Sequence, residues 1–439
     1  MAKHVIFLGA GASYTSGYPL SADLRLILSS PANFRNYITD KVDKFGNIEL
    51  SKRRELQEKL ERAYASFNHE VQLFRDGGFA TVDEFSYLAR DRHDVFVQTL
   101  KRFTSIVFAV HNPENWYHKP GAQTNEATTA FQSSDYFPFI QKLFDETLHE
   151  FKDDVAVLTY NYDPYLEFLL SRAYRVRKKT SGEESEKTPT GVLSGFGDLD
   201  AKTLLKGKGF CFLKLHGTSV LPGFDSVSGR ITDRDPLTFY EAFERCELLV
   251  SKLFEHANMG SHSRPPILFP WELFKNNGEF VSRDEFRANE GSLAQSDTRL
   301  EDSGSYYDVF KAIWGRAQKE IVDAETISFV GLSMHDFLKS GLRYLFAERV
   351  RKFEATVTND FDFGLKINFA NPGAWRQGDS FSSEPPPNSP VAKLVRILSE
   401  VNPKMALKPG QINTRNTGGN AVGRVMCHDS FKSFIESEL

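Results

Sequence analysis

The stretch that decides the fold is "HVIFLGAGASYTSGYPLSADLR", residues 4–25. An apolar run stops at Gly9-Ala10-Gly11-Ala12-Ser13, and an amphipathic stretch resumes after Ser21. That order predicts a buried strand, a tight turn and a helix. The common dinucleotide fingerprint reads G-x-G-x-x-G, with an acidic residue about 20 positions later for the ribose. Here Gly9 and Gly11 are in place, Tyr14 occupies the third glycine position, and Leu28 to Asn33 offers no carboxylate. An ordinary dehydrogenase reading is therefore weak. Small residues still let the backbone approach a pyrophosphate, and Ser13 can donate to it. Such a turn can equally join strand to helix and hold nothing.

Similar apolar runs recur as "DVAVLTYN" (154–161), "FCFLKLHG" (210–217), "PPILFP" (265–270), "TISFVGLS" (326–333) and "LKINFANP" (365–372). Continuous runs of this kind fit strands buried on both faces, as in a parallel sheet. Helical patterns stand between several of them, notably "SADLRLILSS" (21–30), "VFKAIWGRAQKEIV" (309–322) and "FLKSGLRYLFAERV" (337–350). The alternation predicts an α/β protein with a doubly wound parallel sheet. Between them, Leu56, Leu60, Ala63, Phe67, Val71 and Phe74 recur at steps of three and four, marking one face of a long helix. Asp76-Gly77-Gly78 ends it, and Thr81 is placed to cap a second helical stretch. The reading divides the chain into an α/β domain of residues 1–50 and 150–439 and a helical insertion, 51–149, packed on the ligand cleft. Polar segments at 176–191, 276–305 and 376–390 read as loops, because their charge and Gly/Ser/Pro content oppose burial.

The 439 residues carry a formal net charge of -4, so no global basic field invites nucleic acid. No apolar segment approaches the length of a membrane span. Cys211, Cys246 and Cys427 form no CxxC pair, which argues against a structural zinc or a disulfide framework and for a reducing, cytoplasmic setting. His256 and His262 lack companions at metal-ligand spacing, so no metal is expected. The 38 phenylalanines fit a large aromatic core. Asp83 and Glu84 at a helix start complement its dipole, and Asp336 beside His335 reads as a cap. The mixed charges of "SKRRELQEKLER" read as a solvated helix face.

Two further strand ends carry polar groups. Thr159-Tyr160-Asn161-Tyr162-Asp163 places an amide and a carboxylate two residues apart, and Lys214-Leu215-His216-Gly217-Thr218 closes the next strand. Singly, these are turn formers or a strand-terminal histidine. In open α/β sheets, however, ligands collect at the carboxyl ends of the strands, so the side chains are expected to converge on the crevice above Gly9–Ser13.

"GAGASYTSGYP", "TYNYD" and "LHG", in this order, resemble the sirtuin family, as do Gly331-Leu332-Ser333 after a strand and Asn371 in "INFANP". The matches span roughly Lys3 to Pro372. The Asp-Phe-Arg that follows the proline in deacylase sirtuins is missing, since Pro19 is followed by Leu20-Ser21. So is the four-cysteine zinc module, because only Cys246 lies between Gly217 and Pro265. The chain is most similar in pattern to the zinc-less, NAD-hydrolysing sirtuin-like proteins of bacterial anti-phage defence.

That resemblance implies a Rossmann-like sheet of sirtuin type and an NAD+ glycohydrolase that depletes NAD+ as a defence effector. By it, Asn161 would hold a water or the ribose hydroxyls, and Asp163 would contact the nicotinamide end. His216 would act as a base with a pKa near neutrality. Gly9, Ala10, Gly11, Ala12 and Ser13 would cradle the pyrophosphate, and Gly331, Ser333 and Asn371 the adenosine side. It further implies control by self-association or by a separately encoded partner such as a HerA-type ATPase or a short Argonaute, without direct nucleic-acid or membrane binding. Protein deacylation, ADP-ribosyl transfer and a non-catalytic NAD sensor are the competing readings.

Overall fold

The computed structural model describes residues 3–14, 16–43, 49–65, 81–89, 94–111, 135–144, 151–163, 165–166, 169–170, 192–194, 201–219, 267–290, 306–333, 338–356, 365–370, 389–401, 412–414, 425–428 and 431–439. Five strands of five residues form its centre: β1 (His4–Leu8), β2 (Val155–Thr159), β4 (Phe210–Lys214), β5 (Thr326–Val330) and β6 (Lys366–Ala370). Shorter strands β3 (Val192–Ser194), β7 (Ile412–Thr414) and β8 (Val425–His428) extend the sheet at its two sides. The order is β3-β4-β2-β1-β5-β6-β8-β7, and every pair is parallel. From β1 the chain winds first toward β2 and β4, then crosses back to β5 and β6. This is a Rossmann-like, doubly wound sheet whose order reverses at β1.

Period-two alternation assigns each strand residue to a face. Ile6, Leu8, Val157 and Phe212 join one apolar cluster, while Val5, Phe7, Leu158 and Leu213 join the other. The first face is covered by α2 (Ser21–Leu28), α3 (Pro31–Val42), α4 (Leu50–Ala65), α5 (Val82–Ala89), α6 (Asp94–Val110), α7 (Tyr136–Leu143) and the last helix, Phe431–Glu438. On the second face lie α11 (Tyr306–Asp323), α12 (Lys339–Thr356) and α13 (Pro390–Val401). Burial on both faces is why the central strands read as mainly apolar runs, with Ser328 and Asn368 as buried polar exceptions in β5 and β6. Leu56 and Leu60 of the helical stretch are buried in the same cluster as Ile6 and Val157, so those helices share the sheet's core. Thr81 caps α5, its hydroxyl accepting from the Glu84 amide at 3.1 Å. Arg349 of α12 terminates α11, donating to the carbonyls of Ile321 (2.8 Å), Val322 (3.2 Å) and Ala324 (2.6 Å).

Two expectations need correction. "PPILFP" supplies no strand: Ile267 makes an isolated bridge to Gly217, and a helical turn, α9 (Pro270–Leu273), follows at once. Proline opens that turn, and the Glu272 carboxylate accepts from the Phe269 amide at 2.6 Å, so a helix start replaces the strand. The expected loop 276–305 contains α10 (Arg283–Glu290). Ser282 and Glu285 cap it reciprocally, amide to side chain, at 3.1 and 2.6 Å. The polar segment 176–191 and most of 376–390 lie outside the described residues, as do Phe67, Val71 and Phe74. No described helix is long and apolar enough to cross a membrane.

The register places the site. His4 pairs with both Val155 and Thr326, so β1, β2 and β5 finish in line at Leu8, Thr159 and Val330. Thr159 in turn pairs with Lys214, and Val330 with Ala370. The residues just beyond these ends, Gly9, Tyr160–Asp163, Leu215–Thr218 and Gly331–Ser333, therefore emerge along one edge, at the reversal point where open α/β sheets bind ligands.

Candidate active site

One cleft is lined together by Gly9, Ala10, Ser13, Asn161, Asp163, His216 and Ser333. Seven candidates separated by more than 300 residues thus share a wall. Gly11, Ala12 and Gly331 lie beneath it rather than in it. A Cβ on Gly331 would stand 2.2 Å from the Ala12 nitrogen, and one on Gly11 would stand 2.9 Å from the Gly331 Cα. Gly331 also adopts φ 61°, a left-handed conformation. The amides of Gly9, Gly11 and Ala12 donate to Val330, Gly331 and Gly9 carbonyls at 2.9, 2.8 and 2.9 Å. These glycines are thus required by the close approach of two turns, and three of the expected phosphate-cradling amides are already engaged. Asn371, the remaining candidate, lies outside the described residues.

Ser13 is also committed. Its hydroxyl donates to Asp163 Oδ2 at 2.8 Å and accepts from Asn161 Nδ2 at 3.0 Å. Its one proton being spent on Asp163, the Tyr136 hydroxyl at 2.9 Å must be a second donor to it. The expectation that Ser13 donates to a pyrophosphate is corrected accordingly: in this arrangement it braces Asn161 and Asp163. Asp163 Oδ1 accepts from the Tyr165 amide at 3.2 Å, and the Lys214 ammonium donates to the Asp163 carbonyl. Burial pushes the Asp163 carboxyl above its usual range, against the opposing pull of Lys214 and these hydrogen bonds.

Asn161 points the other way. Nδ2 donates to the Gly9 carbonyl at 3.0 Å as well as to Ser13, which settles the amide's orientation. Its Oδ1 is buried and has no hydrogen-bond partner among the described residues. Nor does Nε2 of His216. The His216 ring sits edge-on to Tyr160 at 4.7 Å and near-parallel to Tyr162 at 6.0 Å. Gly217, at φ 80°, turns the chain directly after His216, and the His216 carbonyl accepts from the Leu268 amide at 2.9 Å. Burial lowers the pKa of the His216 imidazole to about 3, so the ring is neutral at physiological pH rather than poised near neutrality as expected. The cleft residues thus carry an unpaired amide oxygen and an unpaired ring nitrogen on neutral groups, which suits a water or a sugar hydroxyl.

The remaining walls were not singled out from the sequence as cleft residues. Tyr18, Phe108, Tyr160 and Tyr162 contribute rings, and Val82 and Asp83 come from the first turn of α5. Tyr162 donates to Asp83 Oδ1 at 3.2 Å. Thr81 and Glu84 foretold a helix start here, but nothing local shows that Asp83 faces a cleft. The turn bearing it is tied down from the opposite side, since Trp271 Nε1 donates to Ser86 Oγ at 2.9 Å and Ser86 Oγ donates to the Asp83 carbonyl at 2.7 Å. Beside it, Lys101 of α6 and Glu272 form a buried ion pair at 2.6 Å. No lysine or arginine is among the described lining residues. In comparisons with known proteins, no family model matches the chain, and no curated protein matches its sequence.

Proposed function

We propose that this chain is a sirtuin-like NAD+ glycohydrolase, cleaving NAD+ with water to nicotinamide, ADP-ribose and a proton. The observation that carries the reading is a pair of buried polar atoms, Asn161 Oδ1 and His216 Nε2, with no partner among the described residues, on two residues that line one cleft at the reversal point of a doubly wound sheet. Bound NAD+ would supply a cationic leaving group, so the C1′–N bond can break, its electron pair passing to nicotinamide, without a strong acid. Asn161 Oδ1 accepts from a ribose hydroxyl or from the attacking water. His216 orients that hydroxyl or water by accepting a second hydrogen bond. A weak base suffices, because water adding to an oxocarbenium-like centre sheds its proton late, and a bound diphosphate favours the imidazolium. Ser13 and Asp163 hold the amide in place. Enclosure of these groups limits the acceptor to a small molecule, which favours hydrolysis over protein deacylation or ADP-ribosyl transfer. A role in anti-phage defence, with control by self-association or by a HerA-type or Argonaute partner, belongs to the same proposal.

The test is product analysis with the purified chain, alone and with the proteins encoded beside it. Equimolar nicotinamide and ADP-ribose, with oxygen from labelled water in the ribose, supports hydrolysis. Acetyl-ADP-ribose from an acetylated peptide would transfer the reading to deacylation, and tight NAD+ binding without products would transfer it to a sensor.

A further inference from the structure

We propose that Tyr160 completes, with Asn161 and His216, a three-point site for one water molecule, and that this water is the one that attacks NAD+. The attack rests on the glycohydrolase reading; the water site does not.

Three residues of the cleft wall each carry a buried polar atom with no hydrogen-bond partner among the described residues: Asn161 Oδ1, His216 Nε2 and the Tyr160 hydroxyl. All three residues are more than nine-tenths buried. Tyr160 and Asn161 follow one another directly after β2, and the Tyr160 ring meets the His216 ring edge-on, with centroids 4.7 Å apart. The hydroxyl is the informative atom. The Tyr160 ring stacks on Phe7 at 6.0 Å and stands edge-on to Trp314 at 6.3 Å, contacts that a phenylalanine would make equally well. A buried hydroxyl without a partner carries a desolvation cost that phenylalanine avoids, so its presence points to a guest that it binds.

The count of donors and acceptors selects the guest. Nδ2 of Asn161 donates to the Gly9 carbonyl and to Ser13, so Oδ1 is left to accept. Burial holds His216 neutral, and with its proton on Nδ1 the Nε2 atom accepts. Burial raises the pKa of Tyr160, so its hydroxyl keeps its proton and donates. An anion would face two acceptors. A ribose hydroxyl has one proton and can serve only one of them. Water has two protons and two lone pairs: it donates to Asn161 and His216, accepts from Tyr160, and retains one lone pair. In hydrolysis that lone pair forms the O–C1′ bond as the C1′–N bond breaks and its electrons pass to nicotinamide. The water proton on the His216 side moves to Nε2 and then to solvent, so NAD+ and water give nicotinamide, ADP-ribose and a proton.

The experiment has a structural arm and a kinetic arm, both on the full chain. A crystal structure of the wild type is expected to show one ordered water within about 3.2 Å of Tyr160 Oη, Asn161 Oδ1 and His216 Nε2, and one of Y160F to show it displaced or at lower occupancy. Y160F, which keeps the ring, is expected to lower kcat for nicotinamide release by about tenfold or more with KM within about threefold. Its melting temperature is expected to stay within about 3 °C of the wild type, which separates this loss from a structural one. Absence of a water within reach of the three atoms, a kcat for Y160F within about twofold of wild type, or a loss confined to KM each overturns the proposal. If Y160F does not fold, the wild-type crystal structure alone decides. If the water is present but NAD+ is not hydrolysed, the glycohydrolase reading fails and the water site stands. If NAD+ is hydrolysed without the water, the reverse applies.

Discussion

Asn161 Nδ2 donates to the carbonyl of Gly9 at 3.0 Å, across 152 residues of chain. The bond joins the ends of β1 and β2, and the amide's other polar atom, Oδ1, is buried with no hydrogen-bond partner among the described residues. An aspartate here cannot donate to Gly9 and places a charge against its carbonyl. Asn161→Asp is therefore expected to lower kcat by at least about 100-fold with KM changed only a few-fold. Steady-state nicotinamide release checks this; a loss confined to KM contradicts it.

Ser13 serves three partners at once. Ser13→Ala leaves Asp163 Oδ2, Asn161 Nδ2 and the Tyr136 hydroxyl each short of one hydrogen bond in a buried site. The expected cost is on the order of 2–4 kcal/mol of stability, read by urea unfolding. A change below about 0.5 kcal/mol would show that the network is not formed.

Gly331 is tested by its own contacts. A methyl group there meets backbone at 2.2 Å, from a residue at φ 61°. Gly331→Ala is expected to destabilise the fold by more than about 2 kcal/mol. Gly315, whose added Cβ within a helix would meet the tip of Leu205 at 3.3 Å and the Tyr344 hydroxyl at 3.8 Å, is the control, with an effect within about 1 kcal/mol. Equal effects at the two positions would contradict the close approach of the turns.

Burial lowers the pKa of His216 to about 3 and of His4 to about 4, the latter against a raising contribution from Glu438. In the unfolded chain both titrate near 6.5. Between those values the unfolded state binds protons that the native state does not, so this contribution to stability is complete above pH 6.5 and is lost as pH falls toward 4 and 3. Asp163, with its carboxyl raised, acts in the opposite sense above the usual carboxylate range, so the imidazole is isolated by difference. His216→Gln is expected to flatten the decline of melting temperature between pH 6.5 and 4; an unchanged slope would place the imidazole in water.

Lys101 and Glu272 are both almost fully buried. Lys101→Met strands a carboxylate beside the Phe269 amide and is expected to cost about 3–5 kcal/mol, whereas Lys101→Met with Glu272→Gln costs markedly less. Chemical denaturation of the two variants measures the difference, and simple additivity would contradict a buried pair.

The central sheet was readable because burial on both faces leaves a mainly apolar run, continuous through most of β1, β2 and β4 and interrupted only by the buried Ser328 in β5 and Asn368 in β6. "PPILFP" imitates that run, and only its prolines and the reach of Glu272 mark a helix start. The strands β3, β7 and β8 hold three or four residues each, too few for a period to register. Ser282-x-x-Glu285 was a capping box hidden in a charged stretch. At the site, convergence of Asn161, Asp163 and His216 followed from strand polarity alone. Their working states did not, since a spent Ser13 proton, an imidazole held neutral by burial and an Asp83 facing a cleft from another helix arise from neighbours far away in the chain.

Asn161 and His216 are proposed to act on NAD+ in one cleft. The direct measurement is nicotinamide release from NAD+ by the wild-type chain, Asn161→Ala and His216→Ala, with and without the proteins encoded beside it. The expected result is release by the wild type in at least one condition and a loss of at least about 100-fold in each variant, both remaining folded. Undiminished release by both variants, or none by the wild type in any condition, would contradict the account.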